Sequence, residues 1–287
     1  MNGIILIDKE KGITSFSAIN NVKKILNIKK IGHAGTLDPL ATGLLVVMMN
    51  SATKLSDYLM NANKEYIAEI FIGKATDTLD SEGVVVEEKK VFELVDVDGV
   101  LKSFLGKRTQ IPPMYSAIKQ EGVKLYSLAR KGVEVERNPR DIEIFEIERI
   151  SDILNINGFV KFSFRVKVSK GTYIRTLSED IGKALGYPTH LVNLRRTKIG
   201  SLDIKDSYTL EQIIKGNYKI ISMEEALNDM YKIDVDEKLY KLIINGVQIN
   251  QDSINTNEEQ VVFTYKGKLI GIYVKYNGKY KAKRIWN

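Results

Sequence analysis

The chain has 287 residues, 44% of them hydrophobic and 28% charged, which is the composition of a globular protein with a sizeable core and room for more than one domain. It has no cysteine and only two histidines, His33 and His190, so disulfides and thiolate metal sites are excluded and a zinc site has few ligands to draw on. The net charge of +7 suits a polyanionic partner, while the lack of a membrane-length apolar run or a signal-like N-terminus leads us to expect a cytoplasmic protein.

Residues 3–8 read as a short buried strand. Thr14 or Ser15 is placed to cap a helix whose apolar stripe is Phe16, Ile19, Val22 and Leu26. The run 44–49 is continuously apolar, as in a fully buried strand, and 64–73 and 141–148 also read as strands. Over 160–168, Val160, Phe162, Phe164, Val166 and Val168 alternate with Lys161, Ser163, Arg165 and Lys167, so one face is apolar and the other cationic. A helix over about 173–185 follows, with Ile174, Leu177, Ile181 and Leu185 as its stripe and Gly186 and Pro188 at its end. Short helices are expected over 206–232, where Ser222-Met-Glu-Glu225 fits a capping box.

After 233 the pattern is that of a small module, with one helix at about 236–244 and then short strands. Tyr276-Asn277-Gly278-Lys279 signals a type I′ hairpin, because both central residues tolerate positive φ. A boundary near 230 divides the chain into 1–230 and 231–287. Segment 259–287 carries seven lysines and arginines against the single acid Glu259, which is close to the whole net charge. A nucleic-acid surface and a solvated lysine-rich face explain that segment equally well on charge alone.

Four segments carry candidate chemistry. Gly32 to Gly43 holds three glycines, a proline, a histidine and Asp38 in twelve residues, then enters the apolar run. Taken alone, Asp38-Pro39 reads as a turn. In Ser169-Lys-Gly-Thr-Tyr-Ile-Arg175, Thr172 is the expected cap and Arg175 falls in the first helical turn, where the helix dipole disfavours a cation. A carboxylate from elsewhere, Asp38 among the candidates, would answer that, and so would Glu179 at i+4. The third segment runs from Lys64-Glu-Tyr66 to Thr76-Asp-Thr-Leu-Asp80, whose acidic spacing does not fit a calcium loop. The fourth, Gln110-Ile-Pro-Pro-Met-Tyr-Ser-Ala-Ile-Lys119 and Gly122 to Gly132, mixes tyrosines with cations as RNA binding requires.

In this order, Gly-His-x-Gly-Thr-Leu-Asp-Pro-Leu-Ala-Thr-Gly, Lys-x-Tyr, Thr-Asp-Thr-x-Asp, Pro-Pro-x-Tyr-Ser-Ala-x-Lys, Lys-Gly-Thr-Tyr-Ile-Arg and Leu-Arg-Arg resemble the TruB family of tRNA pseudouridine synthases, closely over about residues 3–200 and more loosely beyond. The resemblance implies an α+β pseudouridine synthase fold, with a central mixed, mostly antiparallel sheet flanked by helices, and a small C-terminal PUA-like β-rich domain. It implies conversion of the T-loop uridine at tRNA position 55 to pseudouridine. The cationic strand face would line the RNA cleft, and the basic C-terminal segment would meet the acceptor arm. By position, Asp38 is the catalytic aspartate, Tyr66 stacks on the base, Arg175 pairs with the aspartate, Leu194 walls the pocket and His33 fills the space the base leaves. Lys9, Lys64, Asp80, Tyr173 and Lys119 complete the expected substrate-binding set.

The sequence departs from the family pattern at Glu10, where proline is usual, and at Ala34, where threonine is common. No hydride, phosphate or one-carbon unit moves in the reaction and no phosphate-loop or dinucleotide motif occurs, so no cofactor and no metal are expected. The expected partner is tRNA, with no membrane and no obligatory protein partner, and the chain is expected to be monomeric. A tRNA-binding or folding protein without chemistry, and a guide-RNA-dependent relative, are the competing readings.

Overall fold

The longest sheet is spined by seven strands in the order Gly3–Lys9, Thr42–Met49, Thr189–Ile199, Lys64–Ile72, Phe159–Val168, Arg140–Arg149 and Gly106–Gln110. All neighbours along it are antiparallel except Thr189–Ile199 against Thr42–Met49, which run parallel through Arg195↔Thr42 and Arg196↔Gly43. The sheet is therefore mixed and mostly antiparallel, as expected. The computed structural model describes residues 2–286 except Ala117, Glu121, Arg130, Lys131 and Glu134, and for Lys119, Gln120 and Lys124 it describes the backbone alone.

The apolar runs are explained by burial on two sides. On one face Ile5, Ile7, Leu45, Val47 and Met49 pack beneath the helix Ser15–Ile25. On the other, Ile4, Leu6, Leu44, Val46 and Met48 pack with Leu55 and Leu59. Residues 3–7 and 43–49 are buried on both faces and have no solvent side to signal, so alternation is absent there. In the middle of the sheet alternation returns. Ala68, Ile70, Phe162, Phe164 and Val166 meet Ile174, Leu177 and Ile181 of the helix Ile174–Leu185, which ends at Gly186 with φ 81°.

Three expectations are corrected. Phe16 is 74% exposed, and the helix instead turns Ser15, Ala18, Ile19 and Val22 inward. Thr14 is the cap, its Oγ1 accepting the Ser17 N–H; Ser15 is freed for a contact described below. Thr172 does not cap the later helix. Its hydroxyl donates to Ser169 O, and the cap position is Tyr173, whose backbone N–H and C=O are both bound by the Gln110 amide. The cations of 160–168 face away from the apolar helix-bearing side, and Lys161, Arg165 and Lys167 pair with Glu69, Glu148 and Glu146 of adjacent strands. Their charge is balanced by carboxylates on that same face of the sheet.

Ser222 and Glu225 exchange both capping-box hydrogen bonds, yet they close only a short 3-10 turn, Glu225–Leu227. A second sheet is formed by Lys232–Asp234, Gln260–Tyr265, Lys268–Tyr276, Lys279–Ile285 and Ile249–Asn250. The helix Glu237–Ile244 is capped by Asp236, and Asn277 and Gly278 at φ 47° and 70° make the expected hairpin turn. Val262, Leu269 and Ile272 of this sheet, and Trp286 just after its last strand, join the same apolar cluster as Ile4 and Leu6, and Arg284 pairs with Asp57 at 2.8 Å. Among the described residues no helix is long and apolar enough to cross a membrane.

Candidate active site

The loop between the strands Ile31–His33 and Thr42–Met49 carries Asp38 to the edge of the helix-bearing face. Arg175 enters from the first turn of Ile174–Leu185, and its Nη2 lies 2.9 Å from Asp38 Oδ2. Burial leaves Arg175 only 6% exposed. It is held by more than the aspartate: Nη1 donates to Thr78 O at 3.1 Å and faces Asp80 Oδ2 at 3.6 Å, and Nη2 donates to Tyr115 O at 2.6 Å. The cation at a helix start is thus stabilised by two carboxylates and two carbonyls from three other segments. Glu179, the local alternative, pairs with Lys183 instead.

Asp38, Tyr66, Arg175, Tyr173 and Leu194 line one pocket of 140 Å³. Asp38 and Arg175 also floor an adjoining cleft of 470 Å³, with Thr14, Asp80, Glu82, Tyr115 and Tyr126 around it. The two carry Asp38 at their junction. Tyr66 pairs with Val166 and Arg196 in the sheet register, so its ring lies on the apolar side, opposite the cations of 160–168.

Burial pushes the Asp38 carboxyl above its ordinary value, against the pull of Arg175, and Asp80 adds to the upward push. Arg175 favours the charged form, as its pairing with the aspartate implies, but the confinement that makes the pocket outweighs it. Because the Asp38 side chain keeps 47% of its surface open to the cleft, the push is weaker while the cleft holds solvent.

The other expected site residues divide into two groups. Leu194 walls the pocket and Tyr173 borders it, its phenol raised above the ordinary value by burial. His33 stands at the start of the Asp38 loop, outside both cavities; its Nδ1 accepts the Gly35 N–H at 3.2 Å, which places the proton on Nε2. Burial and Arg196 hold it below its ordinary pKa, so it is neutral at pH 7.

Lys9 and Lys64 differ from the expectation of RNA contact. The Lys9 ammonium turns inward to the carbonyls of Glu10, Ile13 and Pro39, and that of Lys64 caps the helix Ser56–Asn61 through the carbonyls of Leu59, Met60 and Ala62. Burial brings each down to about 8. Asp80 is likewise turned inward, accepting from the Thr78 hydroxyl and the Glu82 N–H behind Arg175. The Lys119 side chain lies outside the described residues.

Sequence reasoning missed Ser15, Gln110 and Arg196. One signal was available. Arg195 and Arg196 are adjacent on a strand, so they point to opposite faces and one must enter the protein. Arg195 pairs with Asp8 at 2.7 Å on the outer face, while Arg196 is 1% exposed.

The architecture that carries this site, a mixed sheet followed by a smaller β sheet, has counterparts among solved structures. The chain superposes on the crystal structure of a Cbf5-Nop10-Gar1 complex with TM-score 0.71 and 25% identity, covering 99% of this chain and 84% of that one. It also superposes on an H/ACA ribonucleoprotein bound to a substrate RNA containing 2′-deoxyuridine, with TM-score 0.70 and 23% identity, covering 99% and 85%. The fold is that of the Cbf5/TruB-type pseudouridine synthases, with its C-terminal β domain. Residues 23–174 match the N-terminal domain of the TruB family of pseudouridylate synthases, and 175–241 match the C-terminal domain of tRNA pseudouridylate synthase B. The chain belongs to the TruB family. The tRNA pseudouridine synthase B of Staphylococcus haemolyticus is 42% identical to it over 100% of this chain and 99% of the relative. That of Clostridium tetani is 42% identical over 99% of each.

Proposed function

We propose that this protein isomerises the T-loop uridine at position 55 of tRNA to pseudouridine, with Asp38 as its catalytic group. The observation that carries the reading is the 2.9 Å Asp38–Arg175 pair at the mouth of the pocket that Tyr66 and Leu194 wall. In the reaction the bond from ribose C1′ to N1 breaks and one from C1′ to C5 forms. C5 gives up a proton and N1 gains one, so atoms balance without a co-reactant. The uridine must leave its stack, at roughly a few kcal/mol. Stacking on Tyr66 and His33 in the vacated space offset that. Asp38 acts ionised, as nucleophile or as counter-charge to the reacting ribose, with Arg175 favouring its charged form. Lys9, Lys64 and Asp80 support the site from within, since their charged groups are bound inside the protein.

The decisive experiment is incubation of the purified protein with an unmodified tRNA transcript and mapping of pseudouridine. Product at position 55 is expected; its absence there refutes the assignment. The free-standing form is favoured over guide-RNA dependence by 42% identity along the full length to enzymes named for tRNA, against 23–25% to the H/ACA proteins. We further propose a monomer that works in the cytoplasm, with a catalytic domain at 1–230 and an RNA-binding domain at 231–287.

The rate should follow the ionisation of Asp38. Its folded pKa is raised, so kcat should climb with pH along a limb whose midpoint lies above 3.8. A pH–rate profile with saturating tRNA checks this; a midpoint at or below 3.8 would show that Arg175 prevails over burial. The C-terminal lysines provide a separate test. Lys266, Lys268, Lys279 and Lys281 are exposed. Changing all four to glutamine should weaken tRNA binding and flatten its dependence on salt, by up to about one unit of slope for each phosphate that is no longer neutralised. Unchanged affinity in a salt titration would remove this surface from the RNA interface.

A further inference from the structure

Arg196 is among the largest fully buried side chains of the molecule, and among the described residues its hydrogen bonds and ion pairs include no carboxylate. Its charge lowers the pKa of its neighbours Lys9, His33 and Lys64, so it sits in a cluster of basic groups. A buried cation without an anion is unfavourable, and an apolar residue would fill the space at lower cost. Its contacts show what it does instead. Nη2 donates to Gly35 O at 3.1 Å, Nη1 to Thr36 O at 3.3 Å and Nε to Leu44 O at 2.8 Å. These carbonyls flank the loop that presents Asp38.

The backbone of Arg196 holds the same loop. It pairs with Gly43 in the parallel register, so closely that a Cβ on Gly43 would stand 2.4 Å from Arg196 O. Gly43 has φ +100°, which further restricts the position to glycine. Ser15 fixes the loop's middle, its hydroxyl donating to Leu37 O at 2.9 Å and accepting the Leu37 N–H at 2.8 Å. Leu37 adjoins Asp38.

We propose that Arg196, seconded by Ser15, is a positioning residue for Asp38: one guanidinium fork fixes both ends of the catalytic loop and so sets the approach of the Asp38 carboxylate to Arg175. This rests on the reading of Asp38 as the catalytic group. Lysine keeps the charge of Arg196 but not the planar fork that reaches three carbonyls. A loop released at its ends moves Asp38 from Arg175, and Arg175 is what holds the carboxyl pKa down against burial.

The test is Arg196→Lys assayed with tRNA transcript beside the unaltered protein, whose product formation separately checks the proposed function. The expected result is a folded protein with KM for tRNA unchanged. Its kcat should be lower by about 100-fold, the scale of an ångström-sized misplacement, and the acid limb of kcat should move to higher pH. An unchanged kcat and acid limb would overturn the proposal, as would an effect confined to KM, which would make Arg196 an RNA contact. If Arg196→Lys does not fold, Ser15→Ala decides. A lowered kcat with the limb moved upward supports positioning, and kcat and limb like those of the unaltered protein overturn it.

Discussion

Replacing Asp38 by asparagine is expected to lower product formation by about four orders of magnitude while leaving tRNA affinity within a few-fold. The amide keeps the size and the contacts of the side chain but cannot carry the charge the reaction uses. Stability should move the other way. The folded protein holds the Asp38 proton more tightly than the unfolded chain does, because burial raises the carboxyl pKa. Ionising Asp38 therefore opposes folding at any pH above that raised value. Asparagine removes the opposition, and Arg175 retains Asp80 and two carbonyls. The variant should melt no lower than the parent at pH 7–8, and any advantage should disappear as pH falls into the carboxylate range. Single-turnover assays, a tRNA titration and melts at two pH values check this. Full activity in the variant would remove Asp38 from the chemistry.

Arg175→Met should damage both activity and stability. Arg175 and Asp80 are each almost completely buried, so removing the cation strands a buried carboxylate and leaves the carbonyls of Thr78 and Tyr115 without their donor. Breaking one side of such a pair costs about 3 kcal/mol or more. The same change removes the largest influence lowering the Asp38 pKa, leaving burial and Asp80 to raise it further. The acid limb of kcat should shift to higher pH, and at neutral pH activity should fall with the ionised fraction. A thermal melt and a pH–rate profile read the two effects. A variant that melts like the parent with its limb unmoved would show that Arg175 is not the hub of the site. Arg175→Lys should recover part of the stability and little of the geometry, since a single ammonium cannot reproduce the fork.

The sequence by itself determined the local order of this protein. Alternation at 160–168, the Gly186 stop and the Asn277-Gly278 turn are written in neighbouring residues, and all three appear as read. It also marked the Asp38 loop and the misplaced cation Arg175, because each violates a local rule that short-range pattern can detect. It misjudged Phe16, Lys9, Lys64 and the cations of 160–168, because the direction of a side chain relative to distant segments has no local signature. Only the tertiary structure decided which carboxylates meet Arg175. Asp38 and Asp80 come from loops far from it along the chain, and the sheet register that delivers them depends on pairings across the whole catalytic unit. The same holds for Arg196. Its value lies in three carbonyls of a remote loop, and backbone carbonyls are identical in every sequence, so no pattern of residue types can announce them.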